Sequence, residues 1–158
     1  MVVADLSDNA GVKIPPPVIY AGFFLLGLVL EYAFGAPALL PNVVAWLAGW
    51  LLSVASLFLI IPALRSFRSA HTSMIPIRPA SSLVTDGVYG ITRNPMYFSL
   101  LLLYAGISIA LNLWWPIVLA PALILAIDRI VIAREEAYLL RRFGDEYRRY
   151  RERVRRWI

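Results

Sequence analysis

The residues best placed to do chemistry lie in two polar groups separated by an apolar stretch. Leu83 to Tyr97 reads LVTDGVYGITRNPMY and is the one long stretch that is neither a clean apolar run nor a charge cluster. Asn94-Pro95 stands directly before the apolar run that starts at Met96, which is a helix-start signal. Asn is a good N-cap, and Pro is pre-set for a first helical turn, where its missing N–H costs nothing. Upstream, Asp86-Gly87 marks a tight turn and Gly90 a second flexible point. The loop thereby delivers Tyr89 and Arg93 to the N-terminal end of a membrane-length helix. Free N–H groups there carry partial positive charge and suit a carboxylate or a phosphate. Taken alone, the same spacing equally suits a well-capped connector between two helices. The second group is Asp128-Arg129 followed by Glu135-Glu136. Asp128 and Glu135 are seven residues apart, as are Arg129 and Glu136, a spacing that lines both pairs up on one surface of a regular α-helix.

The elements that must position these groups are set by composition. The chain has 158 residues, enough for one domain, and 60% of them are hydrophobic, so a soluble globule of this size is excluded. Mean hydropathy is +0.70 and the isoelectric point about 9.9. There is no cysteine, which excludes disulfides, thiolate metal sites and a cysteine nucleophile. One histidine, His71, sits in a proline-containing loop with Pro62, Pro76 and Pro79, and with no second histidine a metal site is not expected. The predicted fold class is all-α: a polytopic membrane protein with about four transmembrane helices at residues 18–34, 43–61, 96–111 and 114–133. A short polar segment (1–17) ending in Pro15-Pro16-Pro17 precedes them, without the basic region and cleavage site of a signal peptide. Residues 62–95 form a long loop. Ala45, Gly49, Ser53 and Ser56 follow helical spacing and would let a neighbouring helix pack closely. Glu31 lies near the end of the first span, where it can snorkel to the interface.

From residue 134 to the end, Leu139, Phe143, Tyr147, Tyr150, Val154 and Trp157 make one apolar stripe against an arginine-rich face. The stripe predicts a C-terminal amphipathic interfacial helix, broken near Gly144, held by burial and by anionic lipid. Attached directly to a span, it is read as a lipid-contacting element and not as a nucleic-acid or calmodulin-like binder. The short connections 35–42 and 112–113 hold no Lys or Arg, whereas the long loop holds Arg65, Arg68, Arg78 and Arg93 and the tail is rich in arginine. Cationic loops stay inside. Both termini, the Arg93 loop and Glu135-Glu136 are therefore expected on the cytosolic face of a bacterial inner (plasma) membrane. The two polar groups then meet at one end of the helix-three/helix-four hairpin.

Helix-start N–H groups, Asn94, Arg93, Tyr89 and a carboxylate pair suit a small zwitterion with a carboxylate at one end and ribose hydroxyls or an ammonium at the other. S-adenosylmethionine is such a molecule. Leu83–Tyr97, followed by EEAYLLRRFGDEYRRYRERVRRW, closely resembles the isoprenylcysteine carboxyl methyltransferase and phospholipid methyltransferase group of integral membrane enzymes. The resemblance runs from about Arg65 to the C-terminus, and the first two spans match only in being apolar. It implies S-adenosyl-L-methionine as cofactor, held by Ser81, Ser82, Leu83, Val84, Tyr89, Asn94, Pro95, Met96, Tyr97 and Glu135. Arg93, Arg129 and Glu136 are the candidate catalytic residues: Arg129 to orient an anionic acceptor, Glu136 or Asp128 to take a proton from an amine. The chain departs from the isoprenylcysteine enzymes in two places. Asn94 stands where they usually carry His, and Val131 stands where they place an arginine one turn before the glutamate. A lipophilic acceptor, either a prenylated-cysteine-like carboxylate or a lipid amine, would enter sideways from the bilayer. Two other readings fit the composition: a small four-helix proton-coupled transporter using Glu31, and a non-catalytic membrane protein.

Overall fold

The computed structural model describes residues 9–70 and 80–158, and every regular element among them is helical. His71, Pro76, Arg78 and Pro79 lie outside the described residues. Helix α1 (Pro16–Phe34) begins on the proline run: Pro15 takes the N-cap and Pro16 and Pro17 the first turn, the only part of a helix that tolerates them freely.

Helix α2 (Asn42–Ser69) is longer than its proline pattern predicts. The expected stop at Ile61 does not occur; the helix runs through Pro62 for two more turns. Proline removes one intrahelical bond, the one its nitrogen would donate to the Phe58 carbonyl, and the Ser66 hydroxyl separately donates to the Pro62 carbonyl at 3.1 Å. An apolar surrounding offers the other backbone groups no partner outside the helix. At 1.5 Å per residue its 28 residues extend about 42 Å, beyond a hydrocarbon core of about 30 Å. The surplus carries Phe67 towards the polar loop.

Helix α3 (Pro95–Ala110) packs along α2 more extensively than any other helix pair. Ala45, Gly49, Ser53 and Ser56 are all buried in that seam. The serine hydroxyls cause no penalty there, because Ser53 donates to the Gly49 carbonyl at 2.8 Å and Ser108 to the Tyr104 carbonyl at 2.7 Å, inside their own helices.

The turn after α3 holds the far end of the bundle together. Asn112 has φ +57°, a left-handed conformation that asparagine tolerates better than most residues. Its Oδ1 accepts from the N–H groups of Leu39 (2.8 Å) and Leu40 (3.2 Å), and its Nδ2 donates to the Leu40 carbonyl (2.9 Å). Asn112→Ala is expected to lower stability by about 2 kcal/mol through backbone strain and lost hydrogen bonds. Asn112→Gly, which relieves the strain alone, should recover about half of that. Thermal unfolding in detergent measures both. At the same end Glu31 Oε2 accepts from the N–H groups of Trp114 (2.9 Å) and Trp115 (3.1 Å). This carboxylate from α1 caps the start of the next helix and complements its dipole.

That next helix is one unbroken rod, Trp114–Phe143, and not a span followed by a separate tail. It consists of α4 (Trp114–Ala126), a π turn (Ile127–Ile132) and α5 (Ala133–Phe143). Gly144, at φ +52°, breaks it, and α6 (Asp145–Arg153) turns back before the chain ends as a strap. Among the described residues three helices are long and apolar enough to cross a membrane: Pro16–Phe34, Asn42–Ser69 and Trp114–Phe143. The fourth apolar helix, α3, has 16 residues and rises only about 24 Å. The protein is thus an all-α polytopic membrane protein.

The tail's apolar stripe is not spent on the bilayer interface. Tyr147, Tyr150 and Val154 are 1%, 3% and 8% exposed and pack with Leu83, Leu139, Leu140 and Phe143. The reversal at Gly144 lays α6 against the chain's own loop, so the stripe faces protein. Near the other end of the sequence, Ala10 and Val12 join a core with Tyr20, Tyr104, Tyr138, Ile127 and Val131. Arg134 secures that segment by donating to the Gly11 carbonyl at 2.9 Å.

Candidate active site

A cleft of about 890 Å³, mouth included, opens where the loop, the start of α3, α5 and α6 converge. The loop is held open by hydrogen bonds to buried phenols. Tyr150 donates to the Tyr89 carbonyl at 2.7 Å, and the Ala80 N–H donates to Tyr138 at 2.9 Å. A short 3₁₀ turn (Gly87–Gly90) carries Tyr89, whose ring meets Phe67 edge-on with centroids 5.5 Å apart. Burial raises the Tyr89 and Tyr150 hydroxyls above their ordinary range and pushes Tyr147 up to about 12, so these phenols stay protonated at neutral pH.

The two adjacent glutamates have different surroundings. Glu135 lines the cleft and accepts a 2.5 Å hydrogen bond from the Tyr97 hydroxyl. Tyr97 is itself fixed from α1, since the Tyr20 hydroxyl donates to its carbonyl at 2.8 Å. Glu136 is held by cations: Arg93 lies 3.2 Å from Oε1, and Arg156 grips both oxygens, at 3.0 Å and 2.5 Å. The Arg156 guanidinium also donates to both oxygens of Asp128 at 2.9 Å.

The π turn explains why Asp128 partners Glu136 and not Glu135. Its wider turns add a residue, so the residue eight positions after Asp128 replaces the expected residue seven after it on that face. The same shift leaves Arg129 exposed and off the cleft. The expected Arg129–Glu136 alignment does not form. Glu136 is also not the free base that an amine acceptor would need, because guanidinium groups occupy both of its oxygens.

Of the remaining residues singled out in the sequence, Ser82, Leu83, Val84 and Tyr89 line the cleft from the loop. Arg93, Asn94, Met96 and Tyr97 line it from the start of α3. Ser81 is exposed, and Pro95 is buried in the first turn of α3; neither lines the cleft. Asn94 occupies the N-cap position, yet its side chain makes no capping hydrogen bond. Its Nδ2 donates instead to the Arg156 carbonyl at 2.9 Å, a partner supplied by the C-terminal strap. Sequence reasoning missed Phe67, Tyr138, Tyr147 and Tyr150 as lining residues. A helix stop at Ile61 hides Phe67, and the periodicity of the tail does not identify what the stripe through the two tyrosines faces. Among the described residues no cluster of His, Cys, Asp and Glu could hold a metal ion.

Known proteins match this part of the chain. The family model for phospholipid methyltransferase matches residues 44–146, from the second helix to the first turn of α6. An uncharacterized protein of Haemophilus influenzae is 48% identical over 69 residues, covering 40% of this chain and all of that protein. The protein-S-isoprenylcysteine O-methyltransferase of Schizosaccharomyces pombe is 35% identical over 72 residues, covering 46% of this chain and 30% of that enzyme. No solved structure matches the chain. With more than half of its residues inside the family match, and with that match containing both glutamates and most of the cleft, this chain belongs to the phospholipid methyltransferase family of membrane methyltransferases.

Proposed function

We propose that this protein transfers a methyl group from S-adenosylmethionine to a lipophilic acceptor at the cytosolic membrane face, with the donor held in the cleft. The observation that carries the reading is Arg93. Its side chain is only 10% exposed, it lines the cleft, and its Nε–H has no acceptor among the described residues. A buried donor without a partner is costly, and a carboxylate is the acceptor that best satisfies a guanidinium. The donor's α-carboxylate supplies one when the Arg93 side chain shifts to bring its enclosed Nε–H to the cleft wall. Glu135, oriented by Tyr97, is placed to accept from ribose hydroxyls or the ammonium, and Tyr89 with Leu83, Val84 and Met96 provides apolar and aromatic surface for adenine. When bound, the donor supplies an electrophilic methyl on its sulfonium. The chain's part is to exclude water, to fix the orientation and to leave the acceptor aligned for in-line displacement. An already ionised carboxylate acceptor needs nothing more. That fits Glu136, whose oxygens are engaged, better than an acceptor that needs a base.

Isothermal titration in detergent with S-adenosylhomocysteine tests the reading; no binding by the wild-type protein would end it. Arg93→Lys keeps the charge but lacks the Nε–H and the planar fork, so its affinity should fall about ten-fold. A lipid-extract assay with labelled donor then identifies whether an acid or an amine is methylated.

The cytosolic placement rests on arginine distribution. Arg141, Arg148, Arg149, Arg151, Arg153 and Arg155 are exposed on α5, α6 and the strap, while the apolar side of α6 is buried in the protein. Contact with anionic headgroups is then electrostatic, without insertion. Activity in vesicles containing anionic lipid should fall several-fold between low and high salt, and activity in neutral vesicles should not.

A further inference from the structure

The C-terminal strap lies outside residues 44–146, the part of the chain that the family model covers, yet one of its residues binds two of the site's carboxylates and the start of α3. The Arg156 side chain binds both oxygens of Glu136 and both oxygens of Asp128. Its backbone carbonyl accepts from Asn94 Nδ2 at 2.9 Å and from the Thr92 hydroxyl at 3.1 Å. The neighbouring Arg155 carbonyl accepts from the Arg93 N–H at 3.0 Å. The strap thus fixes the residues that start α3 and, through one guanidinium, the carboxylates of the π turn and α5. Those hydrogen bonds to Glu136 and Asp128 also raise the Arg156 guanidinium further above its ordinary range, so its charge is permanent.

Two adjacent carboxylates beside a cleft can both compete for a cationic ligand. Here only Glu135 is left to do so; Glu136 is turned to Arg156 and Arg93. Building on the donor reading above, we infer that Arg156 is a positioning residue that sets how strongly the site prefers the cationic sulfonium donor over its uncharged thioether product, by engaging both oxygens of Glu136 at the cleft wall and balancing its charge. Two arginines (Arg93, Arg156) stand against three carboxylates (Asp128, Glu135, Glu136), a formal sum of −1. S-adenosylmethionine carries one more positive charge than S-adenosylhomocysteine. A modest negative potential favours loading of the donor, and a stronger one would oppose the step in which the sulfonium loses its charge. The thioether product leaves more easily from the same potential.

The experiment measures the affinities of both ligands by titration in detergent and follows their ratio. Arg156→Ala makes the local sum −2 and releases Glu136, so the preference for the donor over the product should rise about five-fold. Asp128→Asn makes the sum zero and should shift the ratio the opposite way by a similar factor, and both shifts should shrink at high salt. Arg156→Lys preserves the charge and should keep the ratio within about two-fold of wild type even where turnover drops. A merely structural strap predicts something different: both affinities fall together, with the ratio unchanged in every variant, and that result would overturn the inference while leaving the donor site standing. If wild-type protein bound neither ligand, the donor reading itself would fall and this one with it. Should Arg156→Ala fail to fold, the opposite-sign shift in Asp128→Asn with an unshifted Arg156→Lys decides the matter, and a flat ratio in Asp128→Asn overturns it.

Discussion

Replacing Glu135 by alanine is expected to weaken S-adenosylhomocysteine binding by about 10- to 150-fold, the equivalent of one or two charge-assisted hydrogen bonds. Two effects combine. The cleft loses the one of its described carboxylates not already engaged by a guanidinium, and the half-buried Tyr97 hydroxyl loses its 2.5 Å acceptor. Glu135→Gln preserves shape and an acceptor oxygen but no charge, and should recover part of the affinity for the product and less for the cationic donor. Tyr97→Phe leaves the carboxylate but frees its orientation, so a loss of about three- to ten-fold is expected. Methyl transfer in Glu135→Ala should fall at least as far as binding does. Unchanged titration curves for Glu135→Ala would remove this residue from the donor site and leave Arg93 without its counterpart.

Gly49→Val should cost more than about 3 kcal/mol of stability, beyond the usual cost of overpacking, because the obstruction is backbone and not a movable side chain. A Cβ at Gly49 would lie 2.5 Å from the Gly106 carbonyl oxygen and from Ala110 Cα on α3. Neither atom can yield without driving α2 and α3 apart. Gly22→Val is the matched control: an added Cβ there meets nothing within 4 Å, so its effect should stay within about 0.5 kcal/mol. Thermal unfolding in detergent distinguishes the two. Forcing α3 outwards also moves Asn94 and Tyr97 at its N-terminal end, so donor affinity should fall along with stability. If Gly49→Val melted like wild type, the close α2–α3 seam would be wrong, and with it the position of the start of α3.

Several features of this protein can be read from composition and spacing, because they depend on local physics. Apolar runs long enough for a bilayer announce the helices, Asn94-Pro95 announces the start of α3, and Ala45, Gly49, Ser53 and Ser56 announce a close seam. Arginine distribution brings the Leu83–Tyr97 loop and Glu135 to the same end of the bundle, where they do share a cleft. Tertiary structure decided the rest, wherever a local signal had more than one possible partner. Pro62 did not end α2, because an apolar surrounding penalises an unwound backbone more than one missing hydrogen bond. The stripe through Tyr147 and Tyr150 shows that α6 is amphipathic but not what it faces, and the reversal at Gly144 turned it onto the loop. A seven-residue spacing aligns Asp128 with Glu135 only on a regular helix, and the π turn gave Asp128 the company of Glu136 instead. Arg156, one arginine in a tail rich in them, became the hub of the charge network through the strap's path across the site. Local periodicity determines which side of a helix is apolar; only the folded chain determines which neighbour that side, or a long charged side chain, will meet.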